Sequence, residues 1–442
     1  MQITCLSISY HNTPVELREC FSLSDEAIET ILADNPIHSG DFEAISELVI
    51  LSTCNRMELY ACVSLPAGLE EKPSAVYQPL LAYMRKALPI SGPFESYLHR
   101  CHGIRAARHL FKVTSGLDSI ALGESQILGQ VSRAMETALR LGSARHVLPS
   151  LFQTAIHIGK RVHSETEVGR RPVSIGSLAA QLAEKELGGL AGRKILVVGA
   201  GKIGGYTLEA LRAQGASTIL LANRTYQRAL EMATRSGGAA LPYEQLFDGL
   251  VEADVVFTAT TAPVPIISTR LVEEVMACRP GQPLALVDLA VPRNIESRAG
   301  DLTGVRLYDM DDVQAFARED GRENNPEIAR AEAIVAEETA EYERLLRIIP
   351  VIGELHKKAE ELRRREVERA LQHLHNPDPE VTQQLDLLSK SLVRKVLHEP
   401  TMRLRTEANR DTLKDYLAIL SDLFDINQRP ALLGEEELPW ER

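Results

Sequence analysis

A cysteine between two predicted strands is the strongest candidate for covalent chemistry in this sequence. Cys54 stands in the run Ser52-Thr53-Cys54-Asn55-Arg56, between apolar runs at residues 48–51 and 57–63. A thiolate in such a turn could attack a carbonyl carbon, with Arg56 favouring the thiolate and the backbone amides of the turn serving as donors. An inert buried thiol is the commoner role of a cysteine, and we assign that role to Cys5, Cys62 and Cys278.

Two histidines and a cysteine near residue 100, together with His109, raise the question of a metal site. Tetrahedral zinc is bound by paired ligands that a second pair closes, and the sequence offers no second pair near His99, Cys101 and His102. The sequence therefore predicts no metal here. His109 falls in a helical pattern over residues 104–111, where a histidine is usually structural or exposed, so the pattern alone leaves a catalytic role open.

Small, polar and glycine residues cluster between Ser115 and Gln130, just before a predicted helix. They could form an ordinary loop with a helix cap, or a polar pocket for a small charged group. The residues alone favour neither interpretation.

A glycine-rich turn predicts a nucleotide site. The apolar run Lys194–Val198 leads into G-x-G-x-x-G and then into a helical segment, so the glycines permit a tight turn and a pyrophosphate at a helix N-terminus. The next predicted strand ends in an Asn-Arg-Thr run, whose arginine suits a ribose 2′-phosphate and so indicates NADPH rather than NADH. A glycine turn that binds no nucleotide is the alternative. The predicted cofactor-binding residues are Gly199, Ala200, Gly201, Lys202, Ile203, Gly204, Asn223, Arg224 and Thr225.

Three regions must position these residues. Residues 1–165 mix strand-like and helical segments, and residues 324–442 are helical and rich in Glu, Arg, Ala and Leu. Residues 173–320 alternate apolar runs with helical segments, which is typical of βαβ units and a parallel sheet. The strands predicted in this region are Lys194–Val198, Thr218–Ala222, 254–258, 284–289 and Val305–Tyr308.

A long charged helix is predicted after Asn324-Asn325-Pro326, because Asn caps helices and Pro suits their first position. Pro350 should break or kink it, and residues 355–374 then read as a second helix with an apolar stripe at Leu355, Leu362, Val367, Leu371 and Leu374. Such a stripe could pack against another subunit or fold back within one chain.

Composition indicates an ordinary globular protein. The chain has 442 residues, 44% of them hydrophobic and 25% charged, which excludes collagenous and wholly disordered proteins. Six cysteines without paired spacing, no apolar run of membrane-spanning length and no signal-peptide pattern lead us to expect a cytoplasmic protein with no membrane association.

Taken together, the motifs resemble those of the glutamyl-tRNA reductase family over nearly the whole chain. They lie at residues 52–56, 115–119, 123–130, 199–204, 223–225 and 288–293. The resemblance implies an α/β multidomain fold: an α+β catalytic domain, a Rossmann-type NADPH domain, a long spinal helix and an all-α dimerisation domain in a V-shaped homodimer.

The resemblance also implies the reaction. Cys54 would attack the activated ester of glutamyl-tRNA, release the tRNA and hold a thioester, which NADPH reduces to glutamate-1-semialdehyde for tetrapyrrole synthesis. His109 matches the histidine important for activity, and Arg56 could pair with the γ-carboxylate of the substrate or favour the thiolate. The residues that match glutamyl-binding positions are Thr53, Asn55, Arg56, Ser119, Glu124, Ser125, Gln126 and Gln130.

Two places depart from the commoner family pattern. Ser125 stands where many members have Pro, which points to a contact through the backbone, and Arg171-Pro172 replaces smaller residues. Both concern substrate and tRNA contacts rather than the reaction itself.

A basic stretch offers a tRNA-binding face in a chain of net charge −12. Arg140, Arg145, Lys160, Arg161, Arg170 and Arg171 stand against Glu165 and Glu167. A merely solvated helix face is the alternative.

Two other functions compete with this one. An acylating aldehyde dehydrogenase acting on a free thioester also needs a thiol and a nicotinamide, but it needs neither the basic stretch nor the spinal helix. A noncatalytic tRNA- or partner-binding homologue would not need Cys54 or the glycine motif. Transfer of the reactive aldehyde to glutamate-1-semialdehyde aminomutase is an expectation that no residue in the sequence tests.

Overall fold

The computed structural model describes most of the chain. The described residues are 2–34, 37, 42–53, 55–64, 74–88, 94–120, 122–123, 126–170, 174–319, 326–374, 378–407 and 413–424. Cys54, Glu124, Ser125, Arg171 and the predicted helix cap at Asn325 lie outside this part of the chain. Within it, no helix combines the length and the apolar character needed to cross a membrane.

The N-terminal region is built on an antiparallel sheet in the order β2-β3-β1-β4. Its strands are β1 (Gln2–Ser9), β2 (Ile45–Ser52), β3 (Arg56–Val63) and β4 (His99–His102). Its helices are α1 (Val15–Phe21), α2 (Asp25–Asp34), α3 (Gln78–Ala87), α4 (Ile104–Thr114), α5 (Gln126–Arg140), α6 (Val147–Glu165) and α7 (Glu167–Arg170).

Both faces of this sheet are covered, so β3 is buried along its whole length. Side chains alternate between the faces, which puts Leu59 on the side of α2 and α3 and Tyr60 on the side of α4, α5 and α6. Tyr60 stacks edge-on against Phe152 of α6, with ring centroids 5.3 Å apart.

A buried carboxylate fixes the start of α6. Glu47 of β2 is 5% exposed, and its two oxygens accept hydrogen bonds from the backbone amides of His146, Val147 and Leu148 at 2.8–3.0 Å. The first amides of a helix have no partner within the helix, and a negative charge there also complements the helix dipole. Glu47 therefore docks α6 onto the sheet.

The middle region is a six-stranded parallel sheet in the order β10-β9-β8-β5-β6-β7, which confirms the predicted parallel sheet and Rossmann-type fold. Its strands are β5 (Lys194–Val198), β6 (Thr218–Ala222), β7 (Ala239–Leu241), β8 (Val255–Thr258), β9 (Leu284–Asp288) and β10 (Val305–Tyr308). Its helices are α8 (Ile175–Leu187), α9 (Lys202–Ala213), α10 (Tyr226–Ser236), α11 (Leu246–Glu252), α12 (Thr269–Ala277) and α13 (Met310–Glu319). The sequence did not predict β7, which has only three residues.

The spinal helix is longer than predicted. A single helix, α14 (Pro326–His373), runs through Pro350, so the predicted break and the separate second helix are wrong. A proline inside a helix costs about 3 kcal/mol. Pro350 is flanked by four buried side chains, Leu346, Ile348, Val351 and Leu355. Burial of each contributes roughly 1.5–3 kcal/mol of stabilisation, so packing outweighs the lost hydrogen bond.

The two halves of α14 have different surroundings. Its first half joins the core of the N-terminal region, where Tyr342 stacks edge-on against Phe111 of α4. Its second half packs against α15 (Pro379–Glu407) and α16 (Leu413–Leu423) in two small clusters. Of the predicted stripe, Leu355 is buried within the chain, whereas Leu362 and Leu374 are exposed.

Replacing Glu47 with Ala should loosen α6, because three amide donors lose their acceptor. We expect the N-terminal region to lose about 1–3 kcal/mol of unfolding free energy. Hydrogen exchange followed by mass spectrometry should show faster exchange in the first turn of α6. Glu43→Ala, at an exposed position before β2, is the matched control, and equal exchange in both variants would contradict the capping role.

Candidate active site

The candidate active site begins as a polar row on the sheet face beneath α4. The register places Ser7 of β1 opposite Glu58 of β3 and also opposite His99 of β4. Arg56 and Tyr60 flank Glu58 on the same face, since alternate residues of a strand share a face. A charged residue in the middle of a buried strand requires partners, and this row supplies them.

Glu58 is fully buried and has four partners. Its Oε1 accepts hydrogen bonds from Ser7 Oγ at 3.0 Å and Arg56 Nη1 at 2.9 Å, and it pairs with His109 Nε2 at 2.9 Å. Its Oε2 accepts a hydrogen bond from the Tyr60 hydroxyl at 2.6 Å. Burial alone would raise the pKa of Glu58, but the charges of His109 and Arg56 outweigh it and hold that pKa well below its usual range. Glu58 is therefore a carboxylate at neutral pH.

Arg56 is paired with two carboxylates. Besides Glu58, its Nη1 lies 2.8 Å from Asp118 Oδ2, and its Nη2 donates to the Asp118 carbonyl. The Arg56 side chain is only 2% exposed. Asp118 also hydrogen-bonds His11 Nε2 at 3.0 Å, which ties the segment after α4 to the end of β1.

His109 is a cation at neutral pH. It projects from α4 over the polar row, with 14% of its side chain exposed. Burial would lower the pKa of His109, but the Glu58 carboxylate outweighs it and raises the pKa to about 9. A histidine in this state donates protons or stabilises negative charge, and it is a poor general base.

Hydrogen bonds hold the residues on either side of Cys54 in the turn between β2 and β3. Thr53 Oγ1 accepts hydrogen bonds from the amides of Asn55 and Arg56 at 3.2 Å, and the Thr53 amide donates to the Arg56 carbonyl at 2.8 Å. Asn55 Oδ1 accepts a hydrogen bond from buried Arg18 of α1 at 3.1 Å. Side-chain and backbone bonds thus hold both neighbours of the predicted nucleophile.

Of the remaining predicted glutamyl-binding residues, Gln130 and Ser119 lie near this turn. Gln130 of α5 lines a cavity of about 90 Å³ together with Ser52 and Asp25. Ser119 directly follows Asp118, and Gln126 begins α5. The structure therefore brings Thr53, Asn55, Arg56 and His109 into one network, while Cys54, Glu124 and Ser125 lie outside the described residues.

Glu58, Asp118, Tyr60 and Arg18 belong to this network, and the sequence analysis did not select them. A usable signal existed for Glu58, because a lone acid inside the otherwise apolar run after Cys54 indicates a buried charge with partners. Asp118 gave no such signal, because its partner Arg56 is 62 residues away in the chain.

The nucleotide cavity has a volume of about 460 Å³ and lies at the carboxyl ends of β5, β6 and β8. Of the nine predicted cofactor residues, Gly199, Ala200, Gly201, Asn223, Arg224 and Thr225 line it. Asn223 Oδ1 accepts a hydrogen bond from the Ala200 amide at 3.2 Å, which joins the glycine turn to the end of β6. Exposed Arg228, one turn into α10, also lines the cavity and was not predicted.

Two glycines of the turn have no room for a side chain. Gly199 has φ +119°, and a Cβ there would lie 2.3 Å from the Ala259 carbonyl oxygen. A Cβ on Gly204 would lie 2.1 Å from the Gly199 carbonyl oxygen. A Cβ on Gly201, the residue that precedes α9, would meet no atom closer than 3.9 Å, so there is open space beside the N-terminus of this helix, where a phosphate would bind. These positions fit a dinucleotide pyrophosphate.

A second buried carboxylate connects the nucleotide sheet to α1. Asp288 accepts hydrogen bonds from Thr258 Oγ1 and from the amides of Ala290, Asn294 and Ile295 at 2.7–3.1 Å. Burial outweighs these bonds and raises the pKa of Asp288 to about 6. The loop it shapes carries the next contact with α1.

Arg293 makes that contact. Its guanidinium lies 2.8 Å from a Glu16 oxygen and 2.9 Å from a Glu19 oxygen, both on α1. Arg18 of the same helix pairs with Asp311 at the start of α13 and donates to Asn55. Helix α1 therefore links the nucleotide region to the turn that flanks Cys54.

Comparison with known proteins divides the chain in the same three parts. Residues 6–166 match the N-terminal domain of glutamyl-tRNAGlu reductase, and residues 330–426 match its dimerisation domain. Residues 181–316 match the shikimate/quinate 5-dehydrogenase family.

Full-length relatives agree with these matches. A glutamyl-tRNA reductase of Desulforudis audaxviator is 34% identical over 445 residues, covering 99% of this chain and 97% of the relative. One from Thermodesulfovibrio yellowstonii is 35% identical over 419 residues, covering 93% and 96%. The solved glutamyl-tRNA reductase of Methanopyrus kandleri is 31% identical with a TM-score of 0.42, covering 96% of this chain and 99% of that one. The chain therefore belongs to the glutamyl-tRNA reductase family, a family of oxidoreductases.

Proposed function

We propose that this protein reduces glutamyl-tRNA to glutamate-1-semialdehyde with NADPH, through a thioester on Cys54, as the first step of tetrapyrrole synthesis. The observation that carries the proposal is the network of Arg56, Glu58, Asp118 and His109 beside the turn at Cys54. This network supports the proposal because a protonated histidine held by buried ion pairs would stabilise the negative charge that develops on a carbonyl oxygen.

In the proposed reaction, Cys54 Sγ attacks the ester carbonyl carbon, the bond to the tRNA oxygen breaks, and the departing oxygen takes up the proton that the thiol loses. NADPH supplies the hydride that reduces the thioester. His109 stabilises the oxyanion formed at each stage and gives a proton to the hemithioacetal oxygen. Loss of the Cys54 sulfur then releases the aldehyde and regenerates the thiol.

We assign Arg56 to substrate selection rather than to activation of Cys54. Two carboxylates lie within 2.9 Å of its guanidinium, so its charge is already compensated before the substrate arrives. A γ-carboxylate would compete with Asp118 for the same fork, and Asp118 would move with the segment that carries Ser119. Thr53, Asn55, Glu124, Ser125, Gln126 and Gln130 complete the proposed glutamyl site.

The cofactor assignment rests on the cavity beside the glycine turn. Gly199 to Gly204 would hold the pyrophosphate, Lys202 and Ile203 lying within that turn and the start of α9. Arg224 and Arg228 present two exposed guanidinium groups where a 2′-phosphate would lie. No acidic residue stands in the Asn-Arg-Thr run to repel that phosphate.

The proposed tRNA face is narrower than the basic stretch in the sequence. Arg161 lies within 3.1 Å of Glu165, Glu337 and Glu338, so its charge ties α6 to α14. Arg140 pairs with Glu29. Arg145 and Lys160 are exposed and are the better candidates for phosphate contacts. The Arg170 side chain and Arg171 lie outside the described residues.

We also propose a cytoplasmic homodimer with domains at residues 1–165, 173–320 and 324–442. The match to the dimerisation domain supports the dimer. So do exposed apolar side chains along the C-terminal helices, at Leu362, Leu374, Leu387, Leu388, Leu392, Val396, Ile419 and Leu423. Transfer of the aldehyde product to glutamate-1-semialdehyde aminomutase remains a proposal that these observations do not bear on.

The thioester can be trapped directly. Single-turnover incubation with glutamyl-tRNA labelled on the glutamate should leave label on the protein without NADPH and release labelled aldehyde with it. Cys54→Ser should hold no thioester, and Cys20→Ser, at an exposed cysteine of α1, should behave like the parent. Label on the Cys54→Ser protein as well as on Cys20→Ser would contradict the route. The absence of label from the parent and from both variants would also contradict it and would favour a noncatalytic homologue. Acyl-CoA accepted in place of glutamyl-tRNA would favour an acylating aldehyde dehydrogenase.

The charge state of His109 should govern the pH profile. Its pKa of about 9 exceeds the ordinary 6.5, so the ion pair stabilises the fold fully below about pH 6.5 and loses its effect as the pH rises through about 9. Glu58→Gln removes the largest charge that raises this pKa, so the single-turnover rate should decline at a lower pH than in the parent. His109→Gln should be roughly 10²–10⁴-fold slower and independent of pH in this range. Parallel profiles for Glu58→Gln and the parent would refute the acid role.

Cofactor preference should depend on two arginines. Replacing Arg224 and Arg228 with Ala should raise the KM for NADPH by roughly 10²–10⁴-fold, because each charged hydrogen bond contributes about 1.5–3 kcal/mol. The KM for NADH should hardly change. Arg235→Ala, on the same helix but outside the cavity, is the control. An equal rise with both cofactors would show that the arginines do not bind the 2′-phosphate.

A further inference from the structure

Two cysteines that are 96 residues apart face each other beneath the catalytic histidine. Cys5 of β1 stands opposite Cys101 of β4, and both side chains are buried, at 0% and 5% exposed. Directly opposed residues of adjacent antiparallel strands have Cβ atoms about 4.5–5.5 Å apart, so the two thiols are neighbours. The sequence predicted no metal near Cys101 because no second ligand pair was visible. The sheet register supplies that second pair.

The cysteine pair adjoins the carboxylate and the histidine of the candidate active site. Cys5 Sγ, a Glu58 carboxylate oxygen and a His109 ring nitrogen all lie within 4.8 Å of one another. Only small side-chain movements are needed for one cation to contact all three. Cys101, which the sheet register places opposite Cys5, would supply the fourth ligand of a tetrahedral site.

The electrostatics of the cluster favour a cation. Metal binding releases the protons of thiol ligands, and the two cysteines then supply the negative charge that a divalent cation requires. Arg56 and protonated His109 are the nearby opposing charges. Asp118 compensates Arg56, and a bound ion would displace the proton of His109.

The ligand chemistry selects the type of ion. Two sulfurs, one imidazole and one carboxylate suit Zn²⁺ and other thiophilic divalent cations, whereas Mg²⁺ and Ca²⁺ prefer oxygen ligands throughout. A route of entry exists at His99, which is exposed and whose ring centroid lies 5.4 Å from that of His109.

We propose that Cys5, Cys101, Glu58 and His109 bind one thiophilic divalent cation such as Zn²⁺, and that the bound ion inhibits the enzyme. Coordination would use the same Glu58 and His109 atoms that form the ion pair, so the histidine could no longer donate a proton. The inhibition rests on the proposed function, but the binding does not.

Binding can be measured without catalysis in the full chain carrying Cys54→Ser, which removes the predicted nucleophile as a competing ligand. Zn²⁺ titration against a chromogenic chelator should give one tight site per chain. Adding Cys101→Ala or Cys5→Ala should weaken that site at least about 10-fold. Cys62→Ala is the matched control, because Cys62 is equally buried on the same sheet face but outside the cluster.

Cobalt gives an independent signature. Co²⁺ bound to the Cys54→Ser protein should show a thiolate-to-cobalt charge-transfer band that Cys62→Ala retains and Cys101→Ala loses in large part. Because Cys101 lies on the edge strand β4, its variant keeps the test valid if Cys5→Ala does not fold. With Cys54 intact, Zn²⁺ should inhibit the parent at a concentration at least about tenfold below that needed for Cys101→Ala.

Two results would overturn the proposal. One is the absence of a tight site in the Cys54→Ser protein. The other is binding that is equally strong in the Cys101→Ala, Cys5→Ala and Cys62→Ala proteins, because the ion would then lie elsewhere. Neither result would affect the thioester route, which the labelling experiment tests separately.

Discussion

The catalytic region is organised around one buried charge, the carboxylate of Glu58. Removing a partner from a buried ion pair costs about 3–5 kcal/mol, because the remaining charge has no water to solvate it. Glu58 therefore requires its four hydrogen-bond partners to keep their positions. These partners are Arg56, His109, Tyr60 and Ser7. These partners come from β1, β3 and α4, so the need to satisfy one carboxylate fixes how the helix lies on the sheet. It also keeps His109 protonated, which gives the site an acid at neutral pH.

A second buried carboxylate has the corresponding role in the nucleotide region. Asp288 gathers backbone amides of the loop that follows β9, and that loop presents Arg293 to Glu16 and Glu19. From the same short helix, Arg18 reaches Asn55 beside the predicted nucleophile. Polar contacts thus run without interruption from the end of a nucleotide-binding strand to the turn at Cys54. The proposed reaction, in which a hydride donor meets a thioester, requires these two regions to keep a fixed relative position, and charged hydrogen bonds provide directional contacts for that purpose.

Local patterns predicted the parts of the fold that depend on local physics. The parallel strands, the glycine turn and the start of the spinal helix at Pro326 each carry a signal within a few residues. The continuity of α14 through Pro350 did not follow from sequence, because it depends on apolar contacts with α15 and α16. The same contrast between local signals and distant contacts applies to the candidate site. Cys54 and Arg224 stand in motifs that neighbouring residues make recognisable. The pairing of Arg56 with Asp118 and that of Arg161 with Glu338 join distant parts of the chain.

The register of β1 against β4 shows why such distant pairings matter for function. A shift of one residue would turn Cys5 and Ser7 to the opposite face, and the sulfur pair and the support for Glu58 would be lost together. The proposed acid and the proposed metal site therefore depend on the same register of β1. Glu58 and His109 cannot hold a proton between them and coordinate a metal ion at the same time. Any cation bound there must compete with the acid form of the histidine, so the two states of the site exclude each other.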